Sequence, residues 1–206
     1  MNQSTHEPAK ARTQAWRRAS VELAVIVLVA LVAALGIREW VVQTYWIPSG
    51  SMEPTIEVHE RVLVDRLAFD FGHVSRGDII VFAKPSADIG STDIHDLIKR
   101  VIGLPGESLR SGPNGQIFVD GKPIAQPWVT AAVLKAAQPT ICDPAPGFSR
   151  IDCVGDTLHL PKGEYYVLGD NRSDSDDSRY WGPVAAHLII GQAFVCIWPL
   201  SHIHWL

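Results

Sequence analysis

The chain has 206 residues, 47% of them hydrophobic and 19% charged, with a formal net charge of −4. That length fits one domain of ordinary size plus an appendage, with enough residues to bury a real core. The acidic balance argues against a nucleic-acid partner, which needs a basic face. The three cysteines, Cys142, Cys153 and Cys196, form no C-x-x-C pair, so neither a zinc ribbon nor a thioredoxin-type redox motif is expected.

Residues 1–20 carry Lys10, Arg12, Arg17 and Arg18 against the single acid Glu7 and read as a disordered basic tail. VELAVIVLVALVAALGI, residues 21–37, follows and is apolar on every face, where a core helix would show a polar stripe. Its uninterrupted part, 23–37, falls short of the ~20 residues that cross a bilayer. Taken over 21–42, with Glu22, Arg38 and Glu39 reaching toward head groups, it is long enough. Trp40, Tyr45 and Trp46 stand where an aromatic belt would lie. A cleavable signal peptide is the rival reading, with Ala34 and Gly36 as candidate small residues at a cut. The expectation is an uncleaved transmembrane anchor over 21–42. The basic excess before the anchor keeps the tail cytoplasmic and sends 43–206 across the membrane.

From Tyr45 onward short apolar runs alternate with Gly, Pro and Asp: RVLVDRLAF, GDIIVFA, LIKRVIG, GQIFVDGKPI, DTLHL, EYYVLGD and QAFVCIW. These read as strands, and Asp120-Gly121 as a hairpin turn. TAAVLKAA, 130–137, is the one soluble helix expected. The prediction is a mainly β domain over 43–206, a folded-over barrel or sandwich. Cys142 and Cys153 bracket the loop ICDPAPGFSRIDC, and a bridge across it fits an oxidising compartment; two reduced loop cysteines are the alternative. Cys196, in AFVCIW, reads as a buried thiol.

Three segments carry chemistry. IPSGSMEPT, 47–55, is a turn in which Pro48, Gly50 and Pro54 constrain Ser49 and Ser51; a serine hydroxyl becomes a nucleophile when a base takes its proton. In IKRVIGLPGE, 98–107, read as a strand, Lys99 shares one face with Leu97 and Val101, and Arg100 the other with Ile98 and Ile102. A cation is therefore buried whichever face turns inward. A lysine so placed loses hydration and favours its neutral form, making it a usable base, whereas arginine stays charged. GDNRSDSDDSRYWGPV, 169–184, sets Arg172 and Arg179 among acids, suggesting an ion-pair network. Its Asp174, Asp176 and Asp177 lack the glycine and terminal Glu of a calcium loop. No metal and no cofactor are expected, and His202 and His204 show no partner pattern for one.

In this order, with GDIIVF at 77–82, these segments resemble the boxes of the type I signal peptidases, in scattered blocks over most of 40–185. The resemblance implies a serine endopeptidase with a Ser-Lys dyad. Ser51 would be the nucleophile and Lys99 the general base. The Ser49 hydroxyl and the Ser51 N–H would form the oxyanion hole, and Ser175 would orient the lysine amine. Asp170, Arg100, Asp177 and Arg179 would be supporting ion pairs, and Met52 a packing residue. It also implies secreted preproteins as substrates, cut after small residues in an A-x-A-like pattern, and a monomer in a bacterial plasma membrane with the catalytic domain outside. Trp40 and Ser51 are 11 positions apart, a span of at most ~40 Å, which keeps the site near the bilayer. The C-terminal IWPLSHIHWL is either a last strand on the core or a membrane-contacting face.

Two departures and two alternatives accompany this reading. Residues 122–165 carry no interpretable motif, and Ser173 stands where an acid or amide is more usual. A specialised peptidase of the same family with one dedicated substrate is the first alternative. A membrane-tethered β domain that binds without catalysis is the second. Self-cleaving repressor proteases share the dyad but need a DNA-binding domain, for which this sequence has no candidate.

Overall fold

The computed structural model describes residues 9–70, 72–85, 95–136, 140–142 and 153–206. Parts of the basic tail, the end of the 130–137 helix and the interior of the cysteine loop lie outside the described residues. So do the side chains of 9–15, 17, 34, 35, 37–40, 135 and 136. The chain divides into two units, Met1–Val42 and Gln43–Leu206.

The first unit is a helix, α1 (Ala9–Trp40), of 32 residues. It begins within the stretch expected to be a disordered tail; Ser20 Oγ donates to the Trp16 carbonyl at 2.8 Å, a helical i−4 bond. Val21, Leu23 and Val25–Val29 are all more than half exposed, so no face of this stretch is covered. Among the described residues no helix is long and apolar enough to cross a membrane.

The second unit is built on two sheets. Its strands in chain order are β1 (Val42–Trp46), β2 (Arg61–Asp65), β3 (Ile79–Ala83), β4 (Asp96–Gly103), β5 (Ser108–Ser111), β6 (Ile117–Val119) and β7 (Lys122–Pro123). A short helix, α2 (Ala131–Ala136), then precedes β8 (Cys153–Val154), β9 (Thr157–His159) and β10 (Glu164–Leu168). One turn of helix, α3 (Ser178–Trp181), leads to β11 (Val184–Ala185), β12 (Ile189–Trp198) and β13 (His204–Trp205). The larger sheet runs β1-β2-β12-β3-β4-β10-β11 with β13 also on β12, and the smaller runs β7-β6-β5-β9-β8. The pairings from β2 to β11 and all those of the smaller sheet are antiparallel. The domain is therefore mainly β, as the alternating texture implied.

Period-two alternation explains where the core sits. Along β3, Ile79 and Val81 enter a cluster with Ile47, Met52, Ile56, Val62 and Val64, while Ile80 and Phe82 enter a second with Val101, Val167, Trp181 and Val184. Both faces are covered, which is why GDIIVFA is a continuous apolar run instead of an alternating one. A third cluster, including Ile102, Leu109, Ile117, Leu158 and Leu168, joins the two sheets. The hairpin between β6 and β7 turns at Asp120 and Gly121, both at positive φ (48° and 76°), the pairing that a two-residue hairpin loop requires.

Cys142 and Cys153 are bonded, with their Cα atoms 5.9 Å apart, and Cys196 is a buried free thiol. Burial pushes its pKa up, the state of a packing residue. The C-terminal segment pairs with β12 through Val195–Trp205 and Cys196–His204, yet Trp198, Leu200, Ile203 and Trp205 remain about half exposed or more.

Candidate active site

Ser51 sits in a single 3-10 turn, Gly50–Met52, after the Pro48 stretch. Met52 drops into the core beneath it with no exposure, and Thr55 N and Ile56 N return to the Met52 carbonyl. The turn is thus pinned by a side chain on one side and by backbone bonds on the other. Lys99 lies in β4, opposite Ile80 of β3. Lys99 Nζ and Ser51 Oγ are 2.8 Å apart, and the residues are 4% and 7% exposed. At this distance an ammonium donates to the hydroxyl, and a neutral amine accepts its proton.

Both cations of β4 are buried, Arg100 at 6%, because the sheet is covered on both faces. Arg100 Nε and Nη2 hold Asp170 in a fork, at 2.9 Å to Oδ1 and 2.6 Å to Oδ2. Its Nη1 donates to the Gly77 carbonyl at 2.8 Å. Thr55 Oγ1 donates to the same Asp170 Oδ2 at 2.6 Å, so the Ser51 segment, β4 and the loop after β10 meet at one carboxylate. The charge-assisted fork is the strong kind of ion-pair contact.

The loop after β10 is fixed by a second pair. Asp177 caps α3, accepting from Arg179 N at 3.2 Å, and takes Arg179 Nε and Nη2 at 2.8 Å each. Its Oδ2 also accepts from Gly169 N at 3.0 Å. Burial works to lower the Arg179 pKa, but Asp177 outweighs it and raises the value. Arg172 is 2% exposed, with Asp177 and Asp170 near enough to act on its charge. Its Nε donates to the Gly169 carbonyl, its Nη2 has no partner, and burial lowers its pKa to about 10.

Asn171 is a contact the motif reading did not single out, although it lies inside the quoted GDNR. Its N–H donates to the Ser51 carbonyl and its side-chain amide to the Gly50 carbonyl, each at 3.1 Å. Ser175 is 8% exposed and packs close to Gly169, but its Oγ has no hydrogen-bond partner; the expected bond to Lys99 is not formed here. Ser49 is exposed, with its Oγ 3.5 Å from Ser51 Oγ, a weak contact. Ser173 is exposed and donates to Asn171 Oδ1 at 3.1 Å.

His202 does have partners that its position in the sequence concealed. It lies 3.5 Å from Glu60 Oε1 and 3.9 Å from Glu57 Oε2, and the three residues bring donor atoms within 4.8 Å of one another. The chemistry described below uses none of them. His204 Nε2 contacts the Thr55 carbonyl at 3.1 Å.

A hydroxyl and an amine brought together in a buried, rigid setting are the equipment of a serine hydrolase that uses lysine as its base. Comparison with known proteins gives the family. Residues 20–198 match the family described as signal peptidase, peptidase S26, and the chain belongs to it. It is 34% identical to a probable signal peptidase I-2 of Synechocystis over 89% of this chain and 75% of that one. It is 35% identical to a signal peptidase I V of Bacillus subtilis over 80% and 90%. A solved signal peptidase I from Enterococcus faecalis aligns with 31% identity and a TM-score of 0.44, over 58% of this chain and 95% of that one.

Proposed function

We propose that this chain is a type I signal peptidase that removes signal peptides from preproteins after small residues, by attack of Ser51 with Lys99 as general base. The 2.8 Å approach of Lys99 Nζ to Ser51 Oγ, across 48 residues of sequence, carries the reading. Neutral Lys99 takes the hydroxyl proton as Oγ attacks the scissile carbonyl. The Ser51 N–H and the Ser49 hydroxyl hold the developing oxyanion, each such donor contributing about 2.7–4 kcal/mol. The lysine ammonium then gives its proton to the leaving amine, and the mature protein departs. Lys99 next deprotonates a water that attacks the ester carbonyl, and Ser51 is restored as the acyl group leaves. Ser175, buried near Gly169 with its hydroxyl unbonded, steers the lysine amine. Asp170 with Arg100, and Asp177 with Arg179, hold the two loops in register.

Residues 21–42 of the α1 region form the anchor. Its helical part, residues 21–40, reaches about 30 Å, against a hydrocarbon core of ~30 Å. The exposure of Val21–Val32 side chains supports a lipid neighbour, since such a surface is not left bare in water. Tail 1–20 is cytoplasmic and 43–206 lies outside, as a monomer at a bacterial plasma membrane. Trp46, Trp198, Leu200, Ile203 and Trp205, exposed on β1, β12 and the C-terminal segment, rest at the interface, where aromatic residues gather.

The test is incubation of the detergent-solubilised chain with a precursor bearing an A-x-A signal peptide. N-terminal sequencing should find the product beginning after that motif. A folded wild type that leaves the generic precursor intact would point to a dedicated substrate instead.

A further inference from the structure

Residues 122–165 offer no motif, yet one of their side chains reaches the charge network beside the dyad. Trp128 follows β7, in a turn closed by Val129 N donating to the Gln126 carbonyl at 3.1 Å. It packs against the cluster that contains Leu109, Ile117 and Leu158 of the smaller sheet. Its ring also lies under the Arg100 guanidinium, with Cζ 4.6 Å from the ring centroid. The same ring covers Gly77, where an added Cβ would sit 3.6 Å from Cζ3. Gly77 adopts φ +98°, and its carbonyl is the one that accepts Arg100 Nη1.

Arg100 is therefore fixed on every side by a different segment. Asp170 takes its fork, the Gly77 carbonyl takes Nη1, and Thr55 Oγ1 lies 3.4 Å from Nη2. The Trp128 face is the only one of these contacts contributed by the β7–α2 region. A guanidinium over an indole is attracted by the ring quadrupole, more strongly when desolvated; Arg100 is 6% exposed and Trp128 half-buried. Arg100 adjoins Lys99 in β4, while Asp170 adjoins Asn171, which holds the Ser51 carbonyl. A guanidinium that tilts would disturb the base strand and the nucleophile turn together.

We infer that Trp128 is a positioning residue for the cleavage reaction. Its aromatic face fixes the plane of Arg100, and through Asp170 and Thr55 that plane sets the approach of Ser51 to Lys99. The inference rests on the Ser51–Lys99 reading. A ring that merely fills space would be replaceable by any apolar side chain of similar reach, whereas a ring acting through its π-face would not.

The experiment compares full-length wild type, Trp128→Phe, Trp128→Leu and Trp128→Met in detergent, measuring kcat and KM on a signal-peptide-bearing precursor and Tm in parallel. Trp128→Phe should keep kcat within about threefold of wild type. Trp128→Leu and Trp128→Met should lose kcat by at least about tenfold with KM within twofold, because misplacement of the reacting pair acts on the chemical step. The inclusion of Met guards against a Leu variant that fails to fold. A Leu or Met variant as fast as Trp128→Phe would overturn the inference, as would a loss of kcat that follows Tm across all three variants. Failure of the underlying reading is told apart on the wild type alone: a folded wild type that cuts nothing and takes no adduct at Ser51 from a serine-directed acylating probe would remove that reading and this inference together.

Discussion

Asn171 binds two carbonyls of the Ser51 turn, that of Ser51 through its N–H and that of Gly50 through its side-chain amide, both at 3.1 Å. Asn171→Ala keeps the first bond and loses the second, which leaves the Gly50 carbonyl held only by the Glu53 N–H. We expect kcat to fall by about 10- to 100-fold, since a displacement near 1 Å at a reacting atom has that effect. Tm should change by less than about 4 °C, the scale of one lost hydrogen bond. Steady-state kinetics with a thermal melt check both. An unchanged kcat would mean that the turn is held without this amide.

Gly169 is needed for lack of a side chain. A Cβ there would collide with Ser175 Oγ and with the Ser51 carbonyl, and the second of these is backbone that cannot rotate aside. Gly169→Ala should lower kcat by at least about 100-fold while the chain still folds, as circular dichroism and precursor cleavage on the same sample would report. Wild-type turnover in this variant would contradict the packing described.

Three buried arginines, Arg100, Arg172 and Arg179, share two buried aspartates, Asp170 and Asp177. Burial lowers the Arg172 pKa to about 10, corresponding to about 3 kcal/mol against the charged form. The folded chain holds this proton less tightly than the unfolded chain. Below about pH 10 the guanidinium is charged in both states and the full cost stands; above it the unfolded state binds more protons, so stability rises with pH. At neutral pH, Arg172→Met removes the cost and loses the bond to the Gly169 carbonyl, so Tm should hold or rise by a few degrees. Asp177→Ala, which strands Arg179 and the Gly169 N–H, should cost about 3–5 kcal/mol and at least about 6 °C. Equal losses in the two variants would contradict this ranking.

What could be read from the sequence depended on whether its cause was local. GDIIVFA and LIKRVIG announce β3 and β4 because a strand buried on both faces is an apolar run bounded by turn residues. The Asp120-Gly121 hairpin is equally local. In contrast β5, Ser108–Ser111, has one fully buried side chain, Leu109, among Ser and Arg, and its pairing with β6 and β9 decides its state. Helix α1 starts at Ala9, earlier than the apolar run, because Ala-, Gln- and Arg-rich residues are good helix formers irrespective of polarity. The pairing of Ser51 with Lys99 was legible through the family boxes. The contacts of Asn171, Trp128 and His202 join segments far apart in the chain, and only the assembled sheets bring them together.

The anchor has its own check. Full-length chain in native membranes should stay in the pellet through an alkaline carbonate wash, and protease added from outside should digest 43–206 while sparing the N-terminal tail. Release of the full-length chain into the wash would contradict the transmembrane reading of 21–42.

The central claim, that Ser51 is the nucleophile and Lys99 its base, is tested most directly by intact-protein mass spectrometry after treatment with a serine-directed acylating probe. Wild type should gain one adduct that maps to Ser51, while Ser51→Ala and Lys99→Met gain none. Lys99→Met should also melt no lower than wild type, since it replaces a buried amine with an apolar chain of similar size. An adduct on another residue, or labelling of Lys99→Met at the wild-type rate, would contradict the account.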